Sequence, residues 1–234
     1  MLYGRLKIKN GEVIELQIHS KKIRFERQGK VIKYLRMGND GVEFETSIID
    51  GDIVLYPCTY AEQVKNSEYA YLRLQEPINL AANSGLRLYI KCSVDVGIYA
   101  IKNSKYGFID LVKDGIKYAV YGPVDSGILA RYFKVKPQFT LPHVGLGDMI
   151  YVINVRNYSG SWIKFSKLVI PLYAMRVYLW NDVAISEVIY VILRSTHTAD
   201  VILANKVPHP KAVEIPTLPR QALKYITFSM KWGV

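Results

Sequence analysis

The segment VYGPVDSGILARYFKVKP (residues 120–137) concentrates side chains that could bind a charged ligand. Asp125 and Ser126 place an acid beside a hydroxyl, and Arg131 and Tyr132 follow a few residues later. A guanidinium next to an aromatic ring can hold an anion by charge and a planar group by stacking. These four residues are therefore candidates for a ligand-binding site.

The same segment also has the composition of a turn between two strands. Pro fixes φ, Asp and Ser bond nearby backbone amides, and Gly admits positive φ, so residues 122–127 predict a turn. The flanking residues 117–121 and 128–136 are then strands, and Lys134 and Lys136 add further positive charge to the second strand. A phosphate-binding loop would instead require a following Lys-Ser/Thr and a helix. The turn is the favoured interpretation, and the anion site is the alternative.

His143 is a further ligand-binding candidate, because PHVGLGD (142–148) places it in a Gly-rich loop five residues before Asp148. No two of the four histidines have the spacing of metal ligands. Ser126 lacks the Gly-x-Ser-x-Gly pattern of a hydrolase nucleophile, and neither cysteine lies in a recognised nucleophile motif. The sequence thus predicts no catalytic residue, no metal site and no cofactor, and it argues against an enzyme.

The charge of the chain suggests a second kind of site. Lys and Arg number 31 against 20 Asp and Glu, which gives a net charge of +11. In the first strand Tyr3, Arg5, Lys7 and Lys9 fall on alternate positions, and such a basic and aromatic face is typical of nucleic-acid binders. A basic solvated surface is the simpler interpretation, since no known nucleic-acid-binding motif accompanies it.

Short alternating strands at intervals of about ten residues predict an all-β fold, an antiparallel β-sandwich. Turn signals at 10–11, 28–29, 38–41 and 50–51 indicate an antiparallel meander that begins with a hairpin. A later hairpin is expected around residues 114–115.

At most one or two short helices are expected. Residues 60–67 could form two turns, and Thr217 could cap a helix over 217–226. Residues 183–194 fit a helix by spacing and a strand by their β-branched content.

A weak internal repeat raises the question of domain number. GDIVLY (51–56) matches GDMIYV (147–152), and LRLYI (86–90) matches MRVYL (175–179) at a similar displacement. If the repeat is a duplication, the protein is two tandem sandwiches, 1–122 and 123–234. A single large domain is the alternative.

The expected compartment is the cytoplasm. The first residues resemble no signal peptide, and no run of 18 uncharged apolar residues could span a membrane. Cys58 and Cys92 could form a disulfide only if their strands are neighbours. The composition also suits a thermophile.

The chain resembles a family of uncharacterised archaeal proteins over most of its length. The segments that carry the resemblance are KYAVYGPVDSGILARYF (117–133), PINLAANSGLRLYIKCSVDVGIYA (77–100), FSKLVIPLYAMRVYL (165–179) and MKWGV (230–234). The resemblance implies an archaeal cytoplasmic origin and supplies no activity.

The leading functional hypothesis is a non-enzymatic binding or protein-interaction module. Its partner would be another protein or a second copy that associates through strand edges. One alternative is a nucleic-acid-binding protein that uses the basic N-terminal hairpin. The other is an enzyme acting on an anionic small molecule near the turn at 121–131.

Overall fold

A computed structural model of the chain describes residues 3–60, 68–115, 117–216 and 226–234. The described residues form strands and turns and no helix, so the predicted all-β class is confirmed. The chain divides into two compact units. The first unit comprises Met1–Cys58, Ser93–Asp114 and Gly145–Gly147, and the second comprises Thr59–Cys92, Gly115–Val144 and Asp148–Val234. The two halves 1–122 and 123–234, and the duplication behind them, stay predictions.

The first unit contains two four-stranded antiparallel sheets. One is a meander of β2 (Val13–Ile18), β3 (Lys21–Gln28), β4 (Val31–Gly38) and β5 (Gly41–Ile49). The other has the order β1 (Gly4–Leu6), β6 (Asp52–Cys58), β9 (Asp95–Lys102) and β10 (Lys105–Val112). The predicted alternation is confirmed in the meander, because Ile23, Phe25, Ile32 and Tyr34 are all buried.

A polar contact joins the two sheets of the first unit. The Tyr34 hydroxyl donates to Asp110 Oδ2 at 2.7 Å, and Arg36 Nη1 donates to the same carboxylate at 2.6 Å. Burial raises the pKa of Tyr34, so its hydroxyl remains a donor at neutral pH. These bonds hold β4 against β10.

Two predicted hairpins are wrong. β1 pairs with β6 and β2 pairs with β3, so residues 10–11 do not join paired strands. Gly11 N instead donates to Arg27 O at 2.8 Å, which ties this connection to the meander. Likewise β10 pairs with β9, so residues 114–115 connect strands that belong to different sheets. Turn residues indicate where the chain reverses, but they do not determine which strands pair with each other.

The second unit contains a four-stranded and a seven-stranded sheet. The four-stranded sheet has the order β11 (Tyr118–Tyr121), β12 (Ile128–Val135), β7 (Tyr69–Leu80) and β14 (Ile163–Pro171). The main path of the seven-stranded sheet is β18 (Val213–Glu214), β15 (Val177–Trp180), β16 (Val183–Leu193), β13 (Asp148–Asn157) and β8 (Gly85–Ser93). Off this path, β17 (Ala199–Leu203) pairs with β16, and β19 (Ile226–Met230) pairs with β17. Two of the pairs, β12 with β7 and β13 with β16, are parallel.

The turn interpretation of residues 122–127 is confirmed. β11 and β12 pair antiparallel with Tyr121 opposite Ile128, and Gly127 N closes the turn on Pro123 O at 2.6 Å. Residues 183–194 form a strand, as their β-branched side chains favour. Helices are expected over 60–67 and 217–226. All of these residues except 60 and 226 lie outside the described residues, so the two helices stay predictions.

Candidate anion-binding site

The outer face of the four-stranded sheet in the second unit carries a group of unneutralised cations. β7 alternates strictly at its start, so Ala70, Leu72 and Leu74 are buried while Arg73 points to the opposite face. In the register of the sheet, Lys134 of β12 and Lys167 of β14 both lie directly opposite Arg73. Neighbouring strands are about 4.8 Å apart, so three positive charges stand in one row across the sheet.

A break in strand pairing turns this row into a cavity. Lys167 pairs with Arg73 and Phe165 pairs with Ile78, so four residues of β7, 74–77, lie opposite Ser166 alone. Pro77 contributes to the break because it has no backbone N–H to donate to the ladder. Such bulges bend a strand and re-aim its side chains.

The cavity has a volume of about 570 Å³. Its lining includes four cations, Arg73, Lys134, Lys164 and Lys167, together with Tyr132 and Ser166. We call it the basic cavity. No acid lines it, and none of its cations makes an ion pair within the part of the chain that the structure describes. Like charges directly opposite one another destabilise a sheet, so this arrangement favours a bound anion.

A run of aromatic rings leads away from the basic cavity across the same sheet. Tyr132 contacts Tyr71 and Tyr71 contacts Tyr121, each with ring centroids 5.6 Å apart, and Tyr121 contacts Trp232 at 5.5 Å. Burial raises the pKa of Tyr71 although the Arg73 guanidinium opposes it, and burial also raises the pKa of Tyr121. These hydroxyls therefore stay neutral and do not compensate the cations.

The first unit has a second basic cluster, in which the cations lie beside acids. A cavity of about 460 Å³ is lined by Arg5, Arg27 and Lys102 together with Asp50 and Asp52. Asp52 pairs with Arg5 and lies 3.5 Å from Arg27, and Asp50 pairs with Lys102. The hydrogen bond from Arg5 lowers the pKa of Asp52, and that from Lys102 lowers the pKa of Asp50, so both acids are ionised at neutral pH. We call this the paired-charge cavity.

The family model described as Protein of unknown function (DUF432) matches residues 2–231. The chain belongs to this family. No curated protein and no solved structure matches it. The resemblance to an uncharacterised family over most of the chain is thereby confirmed.

Of the four binding candidates in the 120–137 segment, this DUF432 chain brings only Tyr132 to the basic cavity, where Lys134 of the same segment joins it. Asp125 and Ser126 lie at the exposed tip of the turn, and His143 is exposed in a loop. Arg131, the fourth candidate, is 2% exposed and does not line the basic cavity. It lies opposite Ala70, on the face of the sheet that points into the core.

The four N-terminal candidates of the DUF432 chain do not form one face. Tyr3 is 1% exposed and accepts a hydrogen bond from Gly147 N at 3.0 Å, and Arg5 pairs with Asp52. Lys7 and Lys9 are exposed and lie beyond the end of β1. The alternation that predicted a shared face does not hold, because β1 ends at Leu6.

Sequence reasoning missed Arg73, Lys164 and Lys167. The local signal was present for Arg73, since Leu72 and Leu74 flank it at period two. The pairing that gathers the cations was not readable, because β12 pairs with β7 in parallel across more than fifty residues of chain.

Three further observations concern the rest of the described chain. Cys58 and Cys92 are buried and are not joined by a disulfide, and burial raises the pKa of the Cys92 thiol. Among the described residues no group of three His, Cys, Asp or Glu could hold a metal ion. No helix within the described ranges is long and apolar enough to cross a membrane.

Proposed function

We propose that this protein is a non-enzymatic binding module that holds a multiply charged anion of the phosphate class in the basic cavity. The observation that carries the proposal is the row of Lys134, Arg73 and Lys167 with Lys164 beside it and no acid in the lining. A protein gains nothing in stability from such a row, since cross-strand like charges repel. A bound polyanion removes the repulsion and makes charge-assisted hydrogen bonds with each cation.

The chemistry of the lining favours phosphate over a single carboxylate. Four cations around about 570 Å³ can neutralise several negative charges at once. Arg73 supplies a planar bidentate donor and the lysines supply point charges, a combination suited to phosphoryl oxygens. Ser166 adds a hydroxyl within the same lining.

Calorimetric titration with tripolyphosphate tests the proposal. We expect one site with a Kd of about 100 µM or tighter at low salt, which corresponds to about −5.5 kcal/mol. Arg73→Ser combined with Lys167→Ser should weaken binding at least tenfold, because each charge-assisted bond contributes about 1.5 kcal/mol or more.

The matched control is Lys7→Ser combined with Lys9→Ser, which removes the same charge from two exposed side chains outside the cavity. This control should bind tripolyphosphate as the unchanged protein does. An equal loss in the two double variants would show that affinity follows net charge alone, and the proposal would fail.

A further inference from the structure

Two of the three tryptophans, Trp162 and Trp232, are exposed and lie near residues that line the basic cavity. Trp162 is 69% exposed and immediately precedes β14. Ile163 and Phe165 are buried, so Trp162 and Lys164 project to the opposite, outer side, about 7 Å apart along the chain. The indole therefore lies beside a cation of the cavity lining.

The segment between β13 and Trp162 is held in place by the buried side-chain amide of Asn157. Asn157 is fully buried, and its Nδ2 donates to Leu80 O, Ala81 O and Ser161 O at 2.8–3.1 Å. Its Oδ1 accepts from the backbone N–H of Ser159 at 2.9 Å. A large exposed ring on a connection held this firmly loses little freedom when a ligand stacks on it.

Trp232 is connected to the same lining through the rings of Tyr121, Tyr71 and Tyr132. Its ring packs on Tyr121 and covers Gly122, where an added Cβ would meet the indole at 2.7 Å. Gly122 has a φ of +105°, so both its backbone conformation and the space above it require glycine. The next residue along, Gly233, approaches the Lys167 Nζ, which lines the basic cavity. Trp232 remains 38% exposed.

We infer that the polyanion is a single-stranded nucleic acid, whose phosphates occupy the basic cavity while bases stack on Trp162 and Trp232. Proteins that bind single strands combine a cationic groove with aromatic stacking platforms, and both components meet here. A duplex keeps its bases stacked on one another and offers no free face to either indole. A base-free polyanion would leave both rings without a partner. This inference rests on the proposed function and adds the base to it.

The direct test compares an eight-nucleotide oligothymidylate with an abasic strand of the same length and charge. Eight nucleotides lie within the site sizes of about 4–16 known for single-strand modules. Binding is followed by fluorescence anisotropy of end-labelled strands. Emission of Trp162 is followed in a Trp180→Phe/Trp232→Phe variant, in which it is the only indole.

We expect the intact strand to bind more tightly than the abasic strand and to quench Trp162. Trp162→Ala should weaken the intact strand by about 5- to 150-fold, the range that one stacked base contributes, and leave the abasic strand unchanged. Phe139→Ala is the matched control, since Phe139 is 68% exposed in the same unit and does not line the cavity. It should change neither affinity.

Equal affinity for the two strands with unchanged Trp162 emission would overturn the inference. In that case the proposed function survives, because the abasic strand still binds through its phosphates. Failure of tripolyphosphate and of both strands would overturn the proposed function as well.

Discussion

The basic cavity and the paired-charge cavity have similar size and similar numbers of cations, yet they differ in what surrounds the cations. In the paired-charge cavity, Asp50 and Asp52 neutralise Lys102, Arg5 and, more weakly, Arg27. In the basic cavity none of the described lining residues is an acid. Charge that is paired within the fold stabilises the fold, and charge that is left unpaired is available to a ligand. The net charge of +11 does not show this difference, because a sum over the chain does not tell which cations lie beside acids.

Introducing an acidic side chain into the basic cavity should have the largest effect on ligand binding. Ser166→Asp places a carboxylate in the lining of the basic cavity. At a separation of about 8 Å and an effective dielectric near 20, this carboxylate repels a bound phosphate by about 2 kcal/mol. We expect tripolyphosphate to bind about 30-fold more weakly than it does to Ser166→Asn. The Asn variant is the matched control, because Asn has the shape of Asp without its negative charge. Equal titrations of the two would contradict the electrostatic argument.

Removing the acids from the paired-charge cavity should create a second anion site. Asp50→Asn with Asp52→Asn leaves Arg5, Arg27 and Lys102 without carboxylates. In a background of Arg73→Ser and Lys167→Ser, we expect tripolyphosphate affinity to rise about tenfold. Calorimetry of the background with and without the two Asn substitutions measures the gain. An unchanged affinity would mean that neutralisation by Asp50 and Asp52 is not the reason why the paired-charge cavity binds no anion.

The stability of the ligand-free protein should respond with opposite signs in the two clusters. Arg73→Gln relieves repulsion from Lys134 and Lys167 and should raise the free energy of unfolding by about 0.2–1 kcal/mol. Arg27→Gln removes a partner of Asp52 and should lower it by up to about 1 kcal/mol. Urea unfolding at 0.1 M and 1 M salt checks both, since screening at the higher salt should shrink each change. A loss of stability in Arg73→Gln as large as that in Arg27→Gln would refute the contrast.

The smallest expected effect is a pH dependence confined to the paired-charge cavity. The pKa of Asp52 is lowered from its ordinary 3.8 in the folded state, so its stabilising contribution is present above that value and is lost as pH falls through the folded pKa. The difference in unfolding free energy between the unchanged protein and Asp52→Asn should be constant above about pH 5 and vanish toward pH 2, with a size below about 1 kcal/mol. A difference that grows as pH falls would reverse the assigned sign.

The sequence predicted what depends on neighbours along the chain. The meander from β2 to β5 and the turn at 122–127 follow from period-two alternation and turn residues, and both are confirmed. The pairing of β1 with β6 and of β12 with β7 depends on distant segments, and no local pattern reports it.

In the candidate site, too, some features follow from neighbouring residues and others from the pairing of distant segments. Period two alone places Tyr132 and Lys134 on one face of β12 and Arg131 on the other, so the burial of Arg131 was available from the sequence. The addition of Arg73, Lys164 and Lys167 was not, because it requires the order of strands in the sheet and the irregular pairing opposite Ser166.

Amide chemical-shift mapping during a tripolyphosphate titration locates the bound anion without altering the protein. We expect the shifts to concentrate in β7, β12 and β14 around Arg73, Lys134 and Lys167, with Arg5, Arg27 and Lys102 unchanged. Shifts spread over exposed basic residues of both units, or centred on the paired-charge cavity, would contradict this expectation.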